Sequence, residues 1–212
     1  MACPDYAEIS DPEVLLMDIA EPSQAIVPTL DGPVLRALAS SVMPASAREL
    51  ARRVDRGSEE GIRRVLNRLV HQGVVLGEPA GASVQYRLNV DHVAFDVVQA
   101  LAELRPELLR RIANWVMAWE PAPTLAGVYG SFARGEGDAD SDIDLLVVGD
   151  DVDDDDVATL AERIRAWTGN SASIIVLTRA DLRRVVDAGE SIVGSWERDF
   201  IPVFGSLRMA VA

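Results

Sequence analysis

Thr124-Leu125-Ala126-Gly127-Val128-Tyr129 runs into Gly130-Ser131-Phe132-Ala133-Arg134-Gly135, and five residues later comes Ser141-Asp142-Ile143-Asp144-Leu145-Leu146-Val147-Val148. The first run reads as a buried strand that breaks into a glycine turn, the second as a strand that opens with two carboxylates. Side chains alternate along a strand, so Asp142 and Asp144 share one face, with Cα atoms about 6.5–7 Å apart, while Ile143 points into the core. Two carboxylates on one face are oxygen ligands that suit Mg²⁺ better than a soft metal. The glycine turn completes the pattern. Glycine lets a phosphate approach the backbone, exposed N–H groups and the Ser131 hydroxyl offer donors, and Arg134 neutralises a polyphosphate. Mg²⁺ between the two aspartates would bridge nucleotide phosphates and stabilise charge as pyrophosphate leaves.

Gly130-Ser131, Ala133-Arg134-Gly135 and Ser141-Asp142-Ile143-Asp144 together resemble the signature of the polymerase β-like nucleotidyltransferase superfamily. Within it they are most similar to the minimal nucleotidyltransferases of prokaryotic toxin–antitoxin pairs. The resemblance implies a small mixed sheet with flanking helices over about residues 121–205, with helices near 153–168 and 179–188 and a strand at 171–177. It implies Asp142 and Asp144 as catalytic metal ligands and Gly130, Ser131, Arg134 and Ser141 as the nucleotide-binding set. Mg²⁺ is the implied cofactor, and an NTP, ATP in the first instance, the substrate or ligand. The family usually carries a third carboxylate on the next strand, commonly the base for the attacking hydroxyl. In Ser171-Ala172-Ser173-Ile174-Ile175-Val176-Leu177 that position falls on Ser173, and serine takes no proton near neutral pH. Asp181 and Glu190 are the carboxylates left to substitute for it.

The 212 residues, 49% apolar and 25% charged, have the balance of a globular chain of one large domain or two small ones. All 20 basic residues are arginine, which excludes a Schiff-base or P-loop lysine. One cysteine, Cys3, excludes an intrachain disulfide and a cysteine-based zinc site. No apolar run has membrane-spanning length and Met1 to Pro12 lacks a signal-peptide pattern, so a cytoplasmic protein with no membrane partner is expected. The net charge of −14 argues against wholesale coating of nucleic acid, yet it is unevenly spread. Residues 31–90 hold nine arginines against six acids, whereas residues 136–156 hold eleven acids and no base. Two modules with different partners are expected.

Residues 1–30, with four prolines and no sustained period, read as a loose arm. From Asp31 the pattern turns helical: Val34, Leu35, Leu38 and Val42 fit one face, ended before Pro44. Ser46-Ala47-Arg48-Glu49 is a capping box that opens a second helix. After Asp55-Arg56-Gly57, Ser58 caps a third, with Glu59 and Glu60 in its first turn. There Ile62, Val65, Leu66, Leu69 and Val70 form an apolar stripe, with Arg63, Arg64, Asn67, Arg68 and His71 off it. Gly73 ends that helix; Val74-Val75-Leu76, a turn over Glu78–Ser83 and Val84-Gln85-Tyr86-Arg87-Leu88 read as a hairpin.

Three short helices followed by a hairpin over residues 31–90 resemble the winged helix-turn-helix of bacterial transcription regulators. The resemblance implies that the third helix enters the DNA major groove, with Arg63, Arg64, Asn67, Arg68 and Arg87 as contacts to bases and phosphates. Glu59, Glu60 and a wing tip without positive charge make the expected grip modest, and a regulator reading a palindrome would be a two-fold homodimer. Residues 91–120 read as a helical linker, with Val93, Val97, Leu101 and Leu104 on a first apolar face, a second segment from Pro106, and Trp115 and Trp119 as core. The acidic run Asp150–Asp156 suits a helix N-terminus, and neither His71 nor His92 has a metal-ligand partner at suitable spacing.

The expected fold class is therefore α+β: an arm (1–30), a winged helix (31–90), a helical linker (91–120) and a nucleotidyltransferase-like domain (121–212). Two functions fit. One is Mg²⁺-dependent transfer of a nucleoside monophosphate to a hydroxyl on a protein, such as a cognate toxin, or on a small molecule, with the winged helix as DNA tether or autoregulator. The other is a DNA-binding regulator whose second domain senses nucleotide without transferring it, because Ser173 stands where the third carboxylate is expected.

Overall fold

The computed structural model describes residues 16–54 and 56–206; Cys3, the first half of the expected arm, Asp55 and the last six residues lie outside the described residues. The chain divides into two compact units, one of Ala20–Arg111 and one of Met1–Ile19 with Ile112–Ala212.

In the first unit, α1 (Asp31–Ala39), β1 (Ala45–Ser46), α2 (Ala47–Arg53), α3 (Glu59–His71), β2 (Val75–Ala80), β3 (Ser83–Leu88) and α4 (Phe95–Ala102) follow one another, and α5 (Leu104–Val116) begins there. The three strands form an antiparallel sheet in the order β1-β3-β2. The expected capping box opens α2: the Glu49 N–H donates to Ser46 Oγ and the Ser46 N–H donates to Glu49 Oε2 at 2.7 Å. Hydrogen bonds from the Ser46 backbone and hydroxyl hold the Glu49 carboxyl below the usual range. Ser58 caps α3 by accepting from the Gly61 N–H at 3.1 Å. The buried stripe of α3 is Ile62, Leu66 and Leu69, packed with Val34, Leu38, Leu50, Val75, Tyr86 and Val98. Losing one such side chain to alanine costs about 2–5 kcal/mol.

Four local expectations change. α1 stops at Ala39 and Val42 is fully exposed. The Ser40 hydroxyl donates to the Arg36 carbonyl and the Ser41 hydroxyl to the Met43 carbonyl, so side chains replace the next helical turn. The hairpin strands run on to leave only Gly81-Ala82 between them, with Gly81 at φ +61°. In the linker, His92 Nδ1 accepts from the Ala94 N–H, forming a turn that delays α4 to Phe95. That delay turns Val98 inward and leaves Val93 and Val97 exposed. Where it is described, the expected arm is packed: Pro22–Ala25 form a 3₁₀ turn with Pro22 and Ser23 buried, and Glu21 pairs with Arg36.

The second unit contains β4 (Leu125–Tyr129), α6 (Gly130–Arg134), β5 (Ile143–Val148), α7 (Asp154–Thr168), β6 (Ala172–Leu177), α8 (Arg179–Asp187), α9 (Ser191–Asp199) and β7 (Ile201–Gly205). The mixed sheet has the order β6-β5-β4-β7, with β4 antiparallel to both neighbours and β5 parallel to β6. The helices expected near 153–168 and 179–188 and the strand at 171–177 are α7, α8 and β6. The acidic run starts α7, where Asp153 Oδ1 accepts from the Asp155 N–H at 2.8 Å. α9 and β7 were not expected from the sequence. β7 closes on β4 at Gly127, where an added Cβ would lie 2.3 Å from Phe200 Cζ and 2.6 Å from the Ile201 carbonyl. Trp115 packs edge-on against Trp167, with the Arg163 guanidinium 5.0 Å from its ring centre, while Trp119 is buried. No described helix is long and apolar enough to cross a membrane.

Candidate functional site

The end of β4 and the start of β5 meet in antiparallel register, with Tyr129 opposite Asp144. Chain direction reverses there, so the Gly130 turn arrives beside the first residues of β5. Gly130 takes φ +73°, and a Cβ on it would lie 2.5 Å from Asp144 Oδ2. Any larger residue would be strained in conformation and would collide with the carboxylate. The space expected to admit a phosphate to the Gly130 backbone therefore admits the Asp144 carboxylate.

Ile143 is fully buried, and the carboxylates on either side of it differ in environment: Asp142 is exposed and Asp144 half-buried. Burial, and then the charge of Asp142, push the Asp144 carboxyl above its ordinary value, with Arg134 pulling it back. The Tyr129 phenol is raised by burial and then by Asp144. Two like charges this close, short of compensating donors, form the donor set that a hard dication relieves. Among the described residues no group of three or more His, Cys, Asp or Glu side chains is placed to hold a metal ion.

The other expected nucleotide-binding residues are placed as follows. Ser131 is half-buried in α6, directly after Gly130. Arg134 ends that helix, its Nε donating to Glu136 Oε2 and its Nη1 to Asp199 Oδ2, each at 2.5 Å. Glu136 and then Asp199 push the Arg134 guanidinium up, deepening its cationic state. Ser141 closes a turn: its hydroxyl donates to Asp138 Oδ1 at 2.6 Å and accepts from the Asp138 N–H at 3.0 Å.

Ser173 pairs in parallel register with Asp144, so it occupies the neighbouring strand beside the carboxylate pair, and it is exposed. Asp181 is committed to the α8 cap, accepting from the Thr178 hydroxyl at 2.6 Å and pairing with Arg184. Its bonds with Thr178 and Arg184 hold its carboxyl down against the effect of burial. Glu190 is the exposed residue before α9.

Sequence reasoning missed Asn170. This buried amide donates to the carbonyls of Ala139 and Ser141 at 2.8 and 3.2 Å and accepts from the Met17 N–H at 3.1 Å. It pins the loop that delivers Asp142. Ile19, fully buried against Gly137, supports the same loop from the N-terminal side, so residues 17–19 of the expected arm are also fixed. A lone Asn in a polar loop carries no sequence signal for either role.

On α3 the expected DNA-binding residues are exposed and already paired: Arg63 with Glu59, Arg64 with Glu60, and Arg68 with Asp31 and Gln72. Arg87 pairs with Glu78 across the hairpin. A cleft of about 650 Å³ between α3, the start of α2 and the hairpin is lined by Arg63 and Asn67, together with Arg48, Glu59 and Ser83. Arg64, Arg68 and Arg87 lie outside that lining.

Residues 109–207 match the family model of the nucleotidyltransferase domain. The match covers β4 through β7, and it supports transferase activity. No curated protein matches the chain. Among solved structures, one described as a crystal structure of a toxin–antitoxin with AMP-PNP is similar at 17% identity and a TM-score of 0.35, covering 48% of this chain and 77% of that one. A mutant of the toxin–antitoxin MntA–HpeT is similar at 14% identity and a TM-score of 0.34, covering 47% and 75%. The Gly130 turn and the Asp142–Asp144 pair, the candidate site, lie within the matched residues.

Proposed function

We propose that the C-terminal unit transfers a nucleoside monophosphate from an NTP, ATP in the first instance, to a hydroxyl on a protein or small molecule. The observation that carries this reading is the Asp142–Asp144 pair, mutually repelling and set against Gly130 at the β4–β5 junction. The two aspartates would hold Mg²⁺, which when bound neutralises charge on the phosphates and the leaving group. The backbone after Gly130 and the Ser131 hydroxyl would bind phosphate oxygens, and the free edge of Arg134 would meet the polyphosphate. The acceptor oxygen bonds to the α-phosphorus as the bond to the bridging oxygen breaks. Pyrophosphate leaves with that electron pair. The hydroxyl proton passes to solvent, since Ser173 cannot take it.

The first unit is proposed as a winged helix that tethers the enzyme to DNA or regulates its own operon as an antitoxin-type protein, with a cognate toxin as one acceptor. Its order α1-β1-α2-α3-β2-β3 and its cleft beside Arg63 and Asn67 support this. Each arginine must exchange a carboxylate for DNA, so affinity is modest and dimeric binding adds to it.

A second reading, a nucleotide-sensing regulator without transfer, is favoured by one observation: Ser173 in register with Asp144. Incubation with α-labelled ATP, Mg²⁺ and partner proteins separates the two. Labelled acceptor that falls about 10³-fold in Asp142→Asn or Asp144→Asn supports transfer. Mg²⁺-dependent binding with no labelled acceptor leaves the sensor.

A further inference from the structure

Asp199 ends α9 with a side chain only 2% exposed, and it belongs to none of the motifs above. A buried carboxylate needs charged donors, and it has two: Arg134 Nη1 at 2.5 Å and Arg198 Nε at 3.0 Å. Arg198 is its chain neighbour and 64% exposed, whereas Arg134 arrives from 65 residues away at the end of the phosphate turn. We infer that Asp199 is a positioning residue that clamps Arg134 to receive the NTP polyphosphate, an inference that rests on the nucleotidyl-transfer reading.

The guanidinium is a planar fork with five N–H donors. Glu136 takes the Nε edge and Asp199 takes Nη1. These two bonds fix the plane and leave Nη2 to donate to phosphate. α6 has five residues and stops at Gly135 in the left-handed conformation, so a single helical turn does little to hold a long side chain. The clamp supplies what the helix lacks. Asp199 is itself anchored, because Phe200, the next residue, packs over Gly127 in β4. The charge of Arg134 reaches Asp144, so the clamped group lies within electrostatic range of the carboxylate pair. An arginine already fixed in place loses less freedom on binding than a mobile one, so the clamp acts on nucleotide affinity.

The test uses the full chain with Mg²⁺ and ATP, measuring binding by titration calorimetry and KM and kcat by labelled transfer. Asp199→Asn keeps the shape and removes the charge. We expect it to raise Kd and KM for ATP about tenfold, with kcat within about threefold. Arg134→Ala, at an exposed side chain, should match it, and the double variant should be no worse than Arg134→Ala alone. Asp199→Glu should recover part of the affinity. Unchanged Kd in Asp199→Asn or Arg134→Ala, or additive losses in the double variant, overturns the clamp while nucleotide binding stands. If the unmodified chain binds no ATP in Mg²⁺, the transfer reading fails and the clamp fails with it.

Discussion

The β4–β5 junction and the exposed face of α3 both carry the charged groups expected to do chemistry, but they are held in opposite ways. Asp144 is fixed by strand register, opposite Tyr129 on one side and Ser173 on the other, with Gly130 vacated for its carboxylate. Its carboxyl is pushed up by burial and then by Asp142, and Arg134 offsets this only in part. On α3, Arg63 and Arg64 each satisfy a glutamate one turn earlier, and both ion pairs are well exposed. Pairs of that kind contribute about 0.3–0.5 kcal/mol and reshuffle readily. The sheet thus presents a frustrated charge waiting for a cation, while the helix presents charges already at rest. The function proposed for the C-terminal unit rests on built geometry; the one proposed for the N-terminal unit rests on exchange of partners.

The largest test of this contrast is Ser173→Asp. If register alone places a base beside Asp144, restoring the carboxylate should raise kcat of transfer about 10²-fold; no gain would mean that the register position does not reach the acceptor. Next is Asn170→Ala, which strips two hydrogen bonds from the loop before Asp142 and a third from the Met17 N–H. With all three bonds lost, it should destabilise the chain by about 2–3 kcal/mol in urea unfolding, and a loss under 0.5 kcal/mol would show that the loop and the Met17 segment are held by other means.

On the helix the effects should be smaller. Arg63→Ala, on the cleft lining, should weaken binding to the protein's own promoter DNA about tenfold, while Arg64→Ala, outside it, should change binding by less than about threefold. Equal losses, measured by fluorescence anisotropy at one salt concentration, would point to a diffuse phosphate grip in place of the cleft. Smallest is the pH response of Asp144. The folded chain keeps its proton to a higher pH than the unfolded chain does, so stability falls as pH rises through the raised value. Asp144→Asn should therefore raise Tm at neutral pH by about 2 °C, a modest shift because the site is half open to solvent. Below the usual carboxylate range the difference should vanish; an equal shift at both pH values would contradict the repulsion.

What could be read from the sequence follows the same division. Period-two alternation around Ile143 and a glycine at position 130 are local signals, so the carboxylate pair and its turn were legible. So were the caps at Ser46 and Ser58, whose partners lie three residues away. Asn170 and Asp199 were not, because their partners are 29, 31 and 65 residues distant and a single polar side chain has no period. The inward face of α4 was misread for a nearer reason: the His92 turn moved the helix start, and a later start turns a different valine to the core.

On the proposed function, Asp142 and Asp144 hold Mg²⁺ against an NTP bound at the Gly130 turn. Titration calorimetry of ATP into the full chain, with Mg²⁺ and with EDTA, tests it directly. Saturable binding that requires Mg²⁺ and disappears in Asp144→Asn is expected. Binding that survives in EDTA or in Asp144→Asn, or no heat beyond dilution in the unmodified chain, would contradict it.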